Sequence, residues 1–334
     1  MKLLVTGGAG FIGSNFIHYL RRVHPEYDIV NLDKLTYAGN LENLKSLDQD
    51  PRYQFVKGDI CDRDLVFDLV KDVDAIVHFA AETHVDRAIL GAADFVKTNV
   101  LGTLNLLDAA KEFKKRFHHI STDEVFGALG PNDPPFNEHT PYNPKNPYSA
   151  SKAAADHLVR SYIHTHKIAA TISNCSNNYG PYQFPEKLIP LFISKLLNDE
   201  RVPVYGDGQQ IRDWIHVEDH ARGVDLILHR GRLGETYCLG GNCEIPNLEL
   251  IRGLIALMGK DETLIEYVKD RPGHDRRYAI NFTKARNELS WEPRIKLEEG
   301  LQKTIDWYQK NQDWVDRCKS GEYQEYYVKN YSNK

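Results

Sequence analysis

The chain has 334 residues, of which 41% are hydrophobic and 27% charged, and its formal net charge is −5. This length and composition predict an ordinary globular protein with one large core or two moderate cores. The negative charge argues against nucleic acid as the main partner, and the lack of an apolar run of membrane-spanning length argues against a membrane protein.

The sequence begins with a predicted strand, Lys2 to Thr6, and no basic segment followed by an apolar stretch precedes it. We therefore expect a cytoplasmic protein. The strand leads into Gly7-Gly8-Ala9-Gly10-Phe11-Ile12-Gly13 and then into an amphipathic helix. Glycines at positions 7, 10 and 13 permit a tight turn, close approach of the backbone to a pyrophosphate, and close packing of the helix on the strand. The N-terminus of the helix offers amide donors to the phosphates.

A second predicted strand, residues 28–33, ends in an acid twenty positions after Gly13. An acid at this distance from a glycine-rich turn is typical of dinucleotide-binding folds, in which it binds the adenosine ribose hydroxyls. Because a carboxylate repels a 2′-phosphate, Asp33 predicts NAD rather than NADP as the cofactor.

Two further strands are predicted at residues 53–56 and 75–79. The first is followed by Asp59 and Ile60, and the second by Ala80 and Ala81, whose small side chains would let a cofactor pass close to the backbone. Strands alternate with helices through the first 175 residues, which predicts an α/β fold with a Rossmann-type doubly wound parallel sheet.

The densest group of acids and bases lies between residues 121 and 152. Residues 117–121 predict a short buried strand, so Thr122, Asp123 and Glu124 follow it at the sheet edge where ligands bind. An isolated Asp-Glu pair is more often a pair of loop acids. Beside a hydroxyl, and upstream of the helix that carries Tyr148, this pair indicates a general acid and a general base.

Tyr148 and Lys152 are spaced i, i+4, and Asn146-Pro147 before them is typical of a helix N-cap followed by proline at the first position. The phenol and the ammonium should therefore lie on one helix face. A nearby cation favours the phenolate, so the spacing predicts that Lys152 makes Tyr148 a usable base.

The C-terminal part is predicted to form a smaller α/β substrate-binding domain. We place the cofactor domain at residues 1–175, with some later segments returning to it, the second domain at 176–320, and an aromatic tail at 321–334. Asn177, Lys187, Arg212, Asn247 and the segment 271–274 supply amide and basic groups suited to a nucleoside diphosphate. A structural salt bridge explains each arginine alone equally well.

The cysteines and histidines predict neither disulfides nor a metal site. Five cysteines are odd in number, scattered and free of Cys-x-x-Cys spacing. Among fourteen histidines there is no His-Glu-x-x-His or comparable ligand set.

Several longer motifs resemble the extended short-chain dehydrogenase/reductase family, Rossmann enzymes that act mostly on nucleotide sugars, and within it the 4,6-dehydratases. The resemblance covers residues 1 to about 310, and its most specific part is the Thr-Asp-Glu triplet. Phe126 departs from the family, which usually has tyrosine there. The motifs begin at Ala80-Ala81-Glu82-Thr83-His84, Ser121-Thr122-Asp123-Glu124, Asn174-Cys175-Ser176-Asn177-Asn178, Glu186-Lys187-Leu188, Gly206-Asp207-Gly208 and Asp270-Arg271-Pro272-Gly273-His274.

The resemblance implies NAD as cofactor, dTDP-glucose as substrate, and catalysis by Thr122, Asp123, Glu124, Tyr148 and Lys152. It implies that Tyr148 is the base for the 4-hydroxyl, Glu124 the base at C5 and Asp123 the acid at the 6-hydroxyl. The implied cofactor contacts are Gly7, Gly10, Phe11, Ile12, Gly13, Asp33, Lys34, Leu35, Thr36, Asp59, Ile60, Ala80, Ala81, Thr98, Tyr148, Lys152 and Asn178. The implied substrate contacts are Thr83, His84, Asn177, Lys187, Leu188, Tyr205, Arg212, Asn247, Asp270, Arg271 and His274.

Other interpretations stay open at this point. A nucleotide-sugar 4-epimerase or a UDP-glucuronate decarboxylase would share the fold, the cofactor and the Tyr/Lys pair, but neither needs both acids after Thr122. A non-catalytic NAD-binding sensor would need none of these groups. Two apolar predicted helices, 93–113 and 147–164, correspond to helices that form a four-helix dimer contact in the family, so the resemblance implies a homodimer.

Overall fold

Residues 1–270 and 275–321, the part of the chain that the computed structural model describes, form twelve strands and twelve α-helices. The strands are β1 (Lys2–Thr6), β2 (Asp28–Asp33), β3 (Tyr53–Lys57), β4 (Ala75–His78), β5 (Arg116–Thr122), β6 (Ala170–Cys175), β7 (Asn177–Tyr179), β8 (Val202–Tyr205), β9 (Ile211–His216), β10 (Thr236–Leu239), β11 (Glu244–Pro246) and β12 (Ile265–Val268). The helices are α1 (Phe11–Val23), α2 (Arg63–Lys71), α3 (Val85–Leu90), α4 (Ala93–Phe95), α5 (Thr103–Glu112), α6 (Pro147–His166), α7 (Leu188–Leu197), α8 (Val217–Arg230), α9 (Asn247–Leu257), α10 (Thr283–Leu289), α11 (Leu297–Lys310) and α12 (Gln312–Ser320). The predicted substrate residues Arg271 and His274, and the tail from residue 322, lie outside the described residues.

Seven strands form one parallel sheet in the order β10-β6-β5-β4-β1-β2-β3. Helices cover both of its faces, so the prediction of a doubly wound Rossmann-type sheet is confirmed. β10 follows residue 176 in the chain, and the polypeptide therefore returns to this sheet after leaving it. The division into two domains stays a prediction.

Alternating side chains of the sheet strands enter two different cores. In β1, Leu3 and Val5 belong to a cluster with buried residues of α1 and α8. Leu4, between them, belongs to a cluster on the other face, with residues of α2 and α5. Burial on both faces explains why these strands are almost continuously hydrophobic.

The order of the strands reverses beside β1. The chain first builds outward through β2 and β3, then crosses over to β4 on the other side of β1. Ligands of open α/β sheets bind at such a switch point, outside the carboxyl ends of the strands. The fold therefore places a crevice where the glycine-rich turn follows β1.

A second, smaller layer of strands lies on the C-terminal side. β11, β9 and β7 form a three-stranded sheet, and β12 pairs with β8. Their core joins Trp214 of β9 to Ile193 of α7, Ile251 of α9 and Ile305 of α11. Because β7 begins two residues after β6 ends, this layer stands directly beside the carboxyl end of the large sheet.

Two long helical segments cross the sheet near this crevice. The predicted helix 93–113 is α4, a π-helical stretch at Val96–Gly102 and then α5. The predicted N-terminus of α6 is confirmed, since the Asn146 side chain accepts a hydrogen bond from Ser149 N at 2.9 Å and Pro147 is the first helical residue. Within the described ranges, no helix is long and apolar enough to span a membrane.

Candidate active site

The glycine-rich turn after β1 is shaped by contacts that leave no room for side chains. Gly7 has φ +72°, and a Cβ there would lie 2.5 Å from Ala80 N, just past β4. A Cβ on Gly13 would lie 2.3 Å from Gly7 O. Gly10 is the N-cap of α1, and Gly10 N donates to Gly7 O at 3.2 Å. The turn is thus a backbone cradle at a helix N-terminus, which suits a pyrophosphate.

Asp33, at the end of β2, is held by the backbone around the same turn. Its Oδ2 accepts a hydrogen bond from Ala9 N at 3.0 Å and its Oδ1 accepts one from Leu35 N at 2.8 Å. Burial raises the pKa of this carboxyl, and the two amides oppose that effect. The carboxylate keeps lone pairs for further donors, such as ribose hydroxyls.

The acid pair follows β5 in a short 3-10 helix at Asp123–Phe126. Thr122, the last residue of the strand, caps this turn by accepting a hydrogen bond from Glu124 N at 3.3 Å and donating one to Asp123 Oδ1 at 3.2 Å. Asp123 is 3% exposed. Burial raises the pKa of Asp123 well above its ordinary value, and the neighbouring carboxylates of Glu124 and Asp213 add to this rise. The surroundings of Asp123 thus favour its protonated form, which suits a general acid.

Glu124 lies in a different electrostatic environment from its neighbour. Burial raises the pKa of its carboxyl, but a hydrogen bond from Asn146 and the charges of Arg212 and Lys187 act against that rise. Asn146 Nδ2 donates to Glu124 Oε2 at 3.4 Å. The surroundings therefore favour a proton on Asp123 and a charge on Glu124, as an acid and base pair requires.

Tyr148 lies in surroundings that favour its neutral form. Burial, followed by the charge of Glu124, holds the pKa of Tyr148 well above its ordinary value, although a hydrogen bond with Thr122 lowers it. Lys152 lies one turn further along α6, but its Nζ donates to Ile120 O at 2.7 Å. Burial of a phenolate thus acts against the effect expected of a nearby cation, and the role of Lys152 in making Tyr148 a base stays a prediction.

One pocket brings most of the predicted site residues together. It runs from the glycine-rich turn to the acid pair and contains all five predicted catalytic residues. Leu35 is the one predicted cofactor residue that does not line it; its own φ is +57°. From the predicted cofactor and substrate sets, the lining includes Gly7, Gly10, Phe11, Ile12, Gly13, Asp33, Lys34, Thr36, Asp59, Ile60, Ala80, Ala81, Thr98, Asn178, Thr83, Asn177 and Lys187.

The remaining predicted substrate residues that the structure describes do not line this pocket. His84 caps α3, and its Nε2 lies 3.5 Å from Glu186 Oε2. Leu188 begins α7. Tyr205 ends β8, Arg212 lies in β9, Asn247 begins α9, and Asp270 follows β12.

The guanidinium of Arg212 makes several contacts with other groups of the protein. It is 9% exposed, and its guanidinium donates to Ile211 O and Asp275 O and lies over the ring of Tyr278. No salt bridge joins it to Asp213, whose oxygens accept from Gly241 N and Cys243 N instead. Its effect on the acid pair is electrostatic, and a role in binding substrate stays a prediction.

Sequence reasoning missed several residues that line the pocket, among them Tyr37, Glu82, Gln183, Phe184 and Glu186. Glu82 and Glu186 had a signal, since each lies in a motif that resembled the family. Buried oxygens of Asp123, Asn177, Gln183 and Glu186 have no hydrogen-bond partner within the described part of the chain. Because buried polar atoms are normally paired, the lining suits a polar ligand.

The fold also gathers three possible metal ligands that no motif indicated. The ligand atoms of His24, Asp225 and His229 lie within 4.8 Å of one another at the C-terminal end of α1. They are hydrogen-bonded among themselves, with His24 Nε2 at 3.0 Å from Asp225 Oδ1, and Tyr27 OH lies 2.8 Å from His229 Nε2. These contacts join α1 to α8 at the opposite end of α1 from the pocket.

Comparison with known proteins gives a consistent result. The family model described as GDP-mannose 4,6 dehydratase matches residues 4–304. The chain is 52% identical to a dTDP-glucose 4,6-dehydratase of Xanthomonas campestris, over 96% of each chain. The solved dTDP-glucose 4,6-dehydratase of Bacillus anthracis in complex with NAD is 48% identical with a TM-score of 0.90, covering 95% of this chain and 99% of that one. A UDP-glucose 4-epimerase of Thermotoga maritima shares the fold at 28% identity and TM-score 0.87, covering 93% and 100%.

Proposed function

The chain belongs to the family of nucleotide-sugar dehydratases whose model is described as GDP-mannose 4,6 dehydratase, and we infer from its relatives that it is an NAD-dependent hydro-lyase acting on dTDP-glucose. The reaction removes water and leaves a 4-keto-6-deoxy sugar. One observation carries the inference: the pocket contains two adjacent carboxylates in unlike environments beside the Tyr148 phenol.

The residues of the glycine-rich turn fit the pyrophosphate of NAD, since a Cβ on Gly7 or Gly13 would fill the cradle. Asp33 would bind the adenosine ribose, and Lys34, Thr36, Asp59 and Ile60 line the pocket near it. NAD bound there would supply the hydride acceptor for oxidation at C4 of the sugar and the hydride that reduces C6. The cofactor is not consumed, so we expect the purified protein to hold it.

Denaturing the purified protein should liberate that cofactor, which chromatography and mass spectrometry then identify. NAD is the expected result, because the buried carboxylate of Asp33 repels a 2′-phosphate. Recovery of NADP would contradict the role of Asp33. It would not contradict the dehydratase assignment, which is tested separately by the products formed from nucleotide sugars.

Tyr148 would take the proton of the 4-hydroxyl as C4 is oxidised. Turned from Asp123 towards the phenol, the Thr122 hydroxyl would donate a hydrogen bond that favours the ionised form of Tyr148. Lys152 adds a positive charge at the floor of the pocket. Burial raises the pKa of Tyr148, so these two residues, together with the arrangement of the bound ligands, must lower it for the step to proceed.

The acid pair would then remove water. A ketone at C4 acidifies C5, and Glu124 takes the C5 proton while Asp123 gives its proton to the departing 6-hydroxyl. After hydride returns to C6, Glu124 returns a proton to C5. Elimination of water needs a base that takes the proton of C5 and an acid that protonates the 6-hydroxyl. These two roles explain why both carboxylates are present.

On the substrate side we propose that Asn177 and Lys187 contact the diphosphate, as both line the pocket beyond the acid pair. Tyr205, Arg212, Asn247 and Asp270 would contact the nucleoside from the C-terminal strands. None of these residues discriminates thymine from uracil by its chemistry. A methyl pocket offers only about 1–3 kcal/mol of discrimination, so the preference for dTDP rests on similarity to relatives.

The test is incubation of the purified protein with dTDP-, UDP-, GDP- and CDP-sugars, followed by mass spectrometry of the products. Loss of one water from dTDP-glucose is the expected result. A matched control is the variant Asp123→Asn, Glu124→Gln, which keeps the cofactor pocket but not the acid pair. Epimerisation or decarboxylation without loss of water would contradict the proposal, and comparable kcat/KM for UDP-glucose would contradict only the base preference.

Two alternatives are less well supported. Relatives named as dehydratases are 47–52% identical, whereas the 4-epimerase structure is 28% identical. An epimerase or a decarboxylase would not need the raised pKa of Asp123. A non-catalytic sensor would need neither the acid pair nor Tyr148.

We also propose that the protein is a cytoplasmic homodimer. The helical segment from α4 to α5 exposes Val96 and Leu101 at about half of their surface, next to α6. Exposed apolar residues on neighbouring helices favour a helical interface. Sedimentation of the wild type should give twice the mass of 38.3 kDa, and Val96→Asp, Leu101→Asp should give the monomer; a monomeric wild type would contradict the proposal.

A further inference from the structure

Lys152 carries its charge in a buried position. It is 4% exposed, its Nζ donates to Ile120 O at 2.7 Å and lies 3.4 Å from His119 Nε2. No carboxylate among residues 1–270 and 275–321 forms a salt bridge with it. Burial accordingly lowers the pKa of Lys152 to about 8, and the charge of Asp156 is the largest effect that opposes this fall.

Asp156 lies one turn beyond Lys152 on α6 and is wholly buried. Its Oδ2 accepts hydrogen bonds from Ser121 Oγ at 2.8 Å and from Tyr142 OH at 2.6 Å, and its Oδ1 lies 3.2 Å from His119 Nε2. Burial alone would raise the pKa of this carboxyl, but the contacts with His119 and Tyr142 hold it below its ordinary value. Asp156 is therefore a buried anion.

Packing does not explain this anion. A buried charge is costly, and a neutral side chain would satisfy the hydroxyls of Ser121 and Tyr142, because hydroxyls either donate or accept. The imidazole that both side chains approach is neutral, since burial and the charge of Lys152 lower the pKa of His119 to about 4. Lys152 Nζ lies 3.4 Å and Asp156 Oδ1 lies 3.2 Å from the same ring atom, His119 Nε2, so the ammonium and the carboxylate meet at one uncharged nitrogen.

Other ionisable groups around Lys152 do not provide this counter-charge. From the sheet, His78 is kept neutral by burial and Cys175 keeps its proton because burial raises its pKa to about 12. The charge of Glu124, in the turn after β5, raises the pKa of the Tyr148 phenol instead. Among the described groups that face Lys152, Asp156 is the anion whose charge most stabilises its ammonium.

We propose that Asp156 is a positioning residue of the active site, whose buried carboxylate beside His119 Nε2 keeps Lys152 positively charged one helical turn from Tyr148. The catalytic role of Asp156 rests on the proposed function, whereas the effect of its charge on Lys152 is a property of the folded chain itself. Without the anion, Lys152 would lose its proton within the neutral range. Tyr148 would then lose the cation that favours its phenolate.

The titration of Lys152 tests this directly and needs no catalytic turnover. Trace acetylation with acetic anhydride between pH 5 and 10, read by peptide mass spectrometry, reports the fraction of each lysine that is unprotonated. The wild type should give a midpoint of about 8 for Lys152. In Asp156→Asn the midpoint should fall by about 1–3 pH units, the usual effect of removing an opposite charge nearby.

Two further variants separate charge from structure. Asp156→Glu restores a carboxylate and should return the midpoint towards that of the wild type. Asp219→Asn removes a different buried carboxylate, which accepts hydrogen bonds from Arg294 N and Ile295 N, and should leave it unchanged. If Asp156→Asn does not fold, the double variant Tyr142→Phe, Asp156→Asn takes its place, because it also removes the hydroxyl that faces the new amide.

An unchanged Lys152 midpoint in the folded asparagine variant would overturn the inference, even if its activity fell. The exposed Lys111, labelled in the same samples, provides an internal reference. Failure of the wild type to dehydrate dTDP-glucose would contradict the proposed function and would not alter the labelling result. In the active enzyme, the alkaline limb of the pH–rate profile should move to lower pH in Asp156→Asn.

Discussion

The turn after β1 and the turn after β5 lie in one pocket but work in opposite ways. In the first, from Gly7 to Gly13, the glycines have no side chains, and the backbone itself can therefore approach the ligand. The second acts through Thr122, Asp123 and Glu124, whose chemistry depends on where their protons reside. The shape of the first turn depends on tight backbone contacts, both within the turn and with Ala80 after β4, whereas the pKa values of Asp123 and Glu124 depend on burial and on charges such as those of Asp213 and Arg212.

The largest effect should come from neutralising the acid pair. In Asp123→Asn, Glu124→Gln, elimination of water should fall by at least 10²-fold, since general acid and base groups each contribute about 10²–10⁴-fold. Oxidation at C4 needs Tyr148 and should survive, so absorbance of NADH should rise and persist. The control Asp313→Asn, Asp316→Asn changes two exposed acids of α12 and should behave as wild type. Product formation at a near wild-type rate would mean that the pair are loop acids.

Replacing Tyr148 by phenylalanine should block the earlier step. The change removes only the ionisable oxygen, so hydride transfer should fall by about 10²–10⁴-fold while cofactor and sugar still bind. Rapid mixing with dTDP-glucose should then show no NADH, the reverse of the result for the acid pair. Tyr162→Phe, on the same helix, removes a hydroxyl bonded to Asp108 and serves as control. Equal NADH signals in the two tyrosine variants would exclude Tyr148 as the base.

Adding one methyl group to the first turn should reduce cofactor binding without touching an ionisable group. Gly7→Ala places a Cβ 2.5 Å from Ala80 N at φ +72°, where an L residue costs about 1–2 kcal/mol before the clash is counted. The NAD content of the purified protein should fall by about tenfold or more. Gly253→Ala is the matched control, since a Cβ there meets nothing within 4 Å and lies inside α9. Full NAD content in Gly7→Ala would contradict the cradle.

The smallest effect should come from a distant charge. The carboxylate of Asp213 raises the pKa of Asp123, so Asp213→Asn should lower that pKa. Asp123 would then lose its proton at lower pH, and the alkaline limb of dehydration should move to lower pH by less than about one unit. Asp207→Asn, an exposed acid, is the control. A shift to higher pH would show that Asp213 does not act through its charge.

Local patterns predicted the elements of the site well. The N-cap at Asn146 and the position of Thr122 at the end of a strand depend on contacts within a few residues, and the glycine-rich turn is predicted by the spacing of its glycines. The parallel sheet follows from alternation of strands and helices. Residues such as Tyr37, Gln183 and Phe184 had no such signal, because loops from different elements bring them to the pocket.

The amino-acid sequence by itself determined which chemical groups are available and which turns present them. Only the tertiary structure decided their protonation, because desolvation and the field of distant charges exist only once the chain is folded. Tyr148 shows this most clearly: its spacing from Lys152 predicts a lowered pKa, and burial raises it. The contacts of Asp156 with His119 and Ser121 of β5 likewise could not be predicted from the sequence, because they exist only in the folded chain.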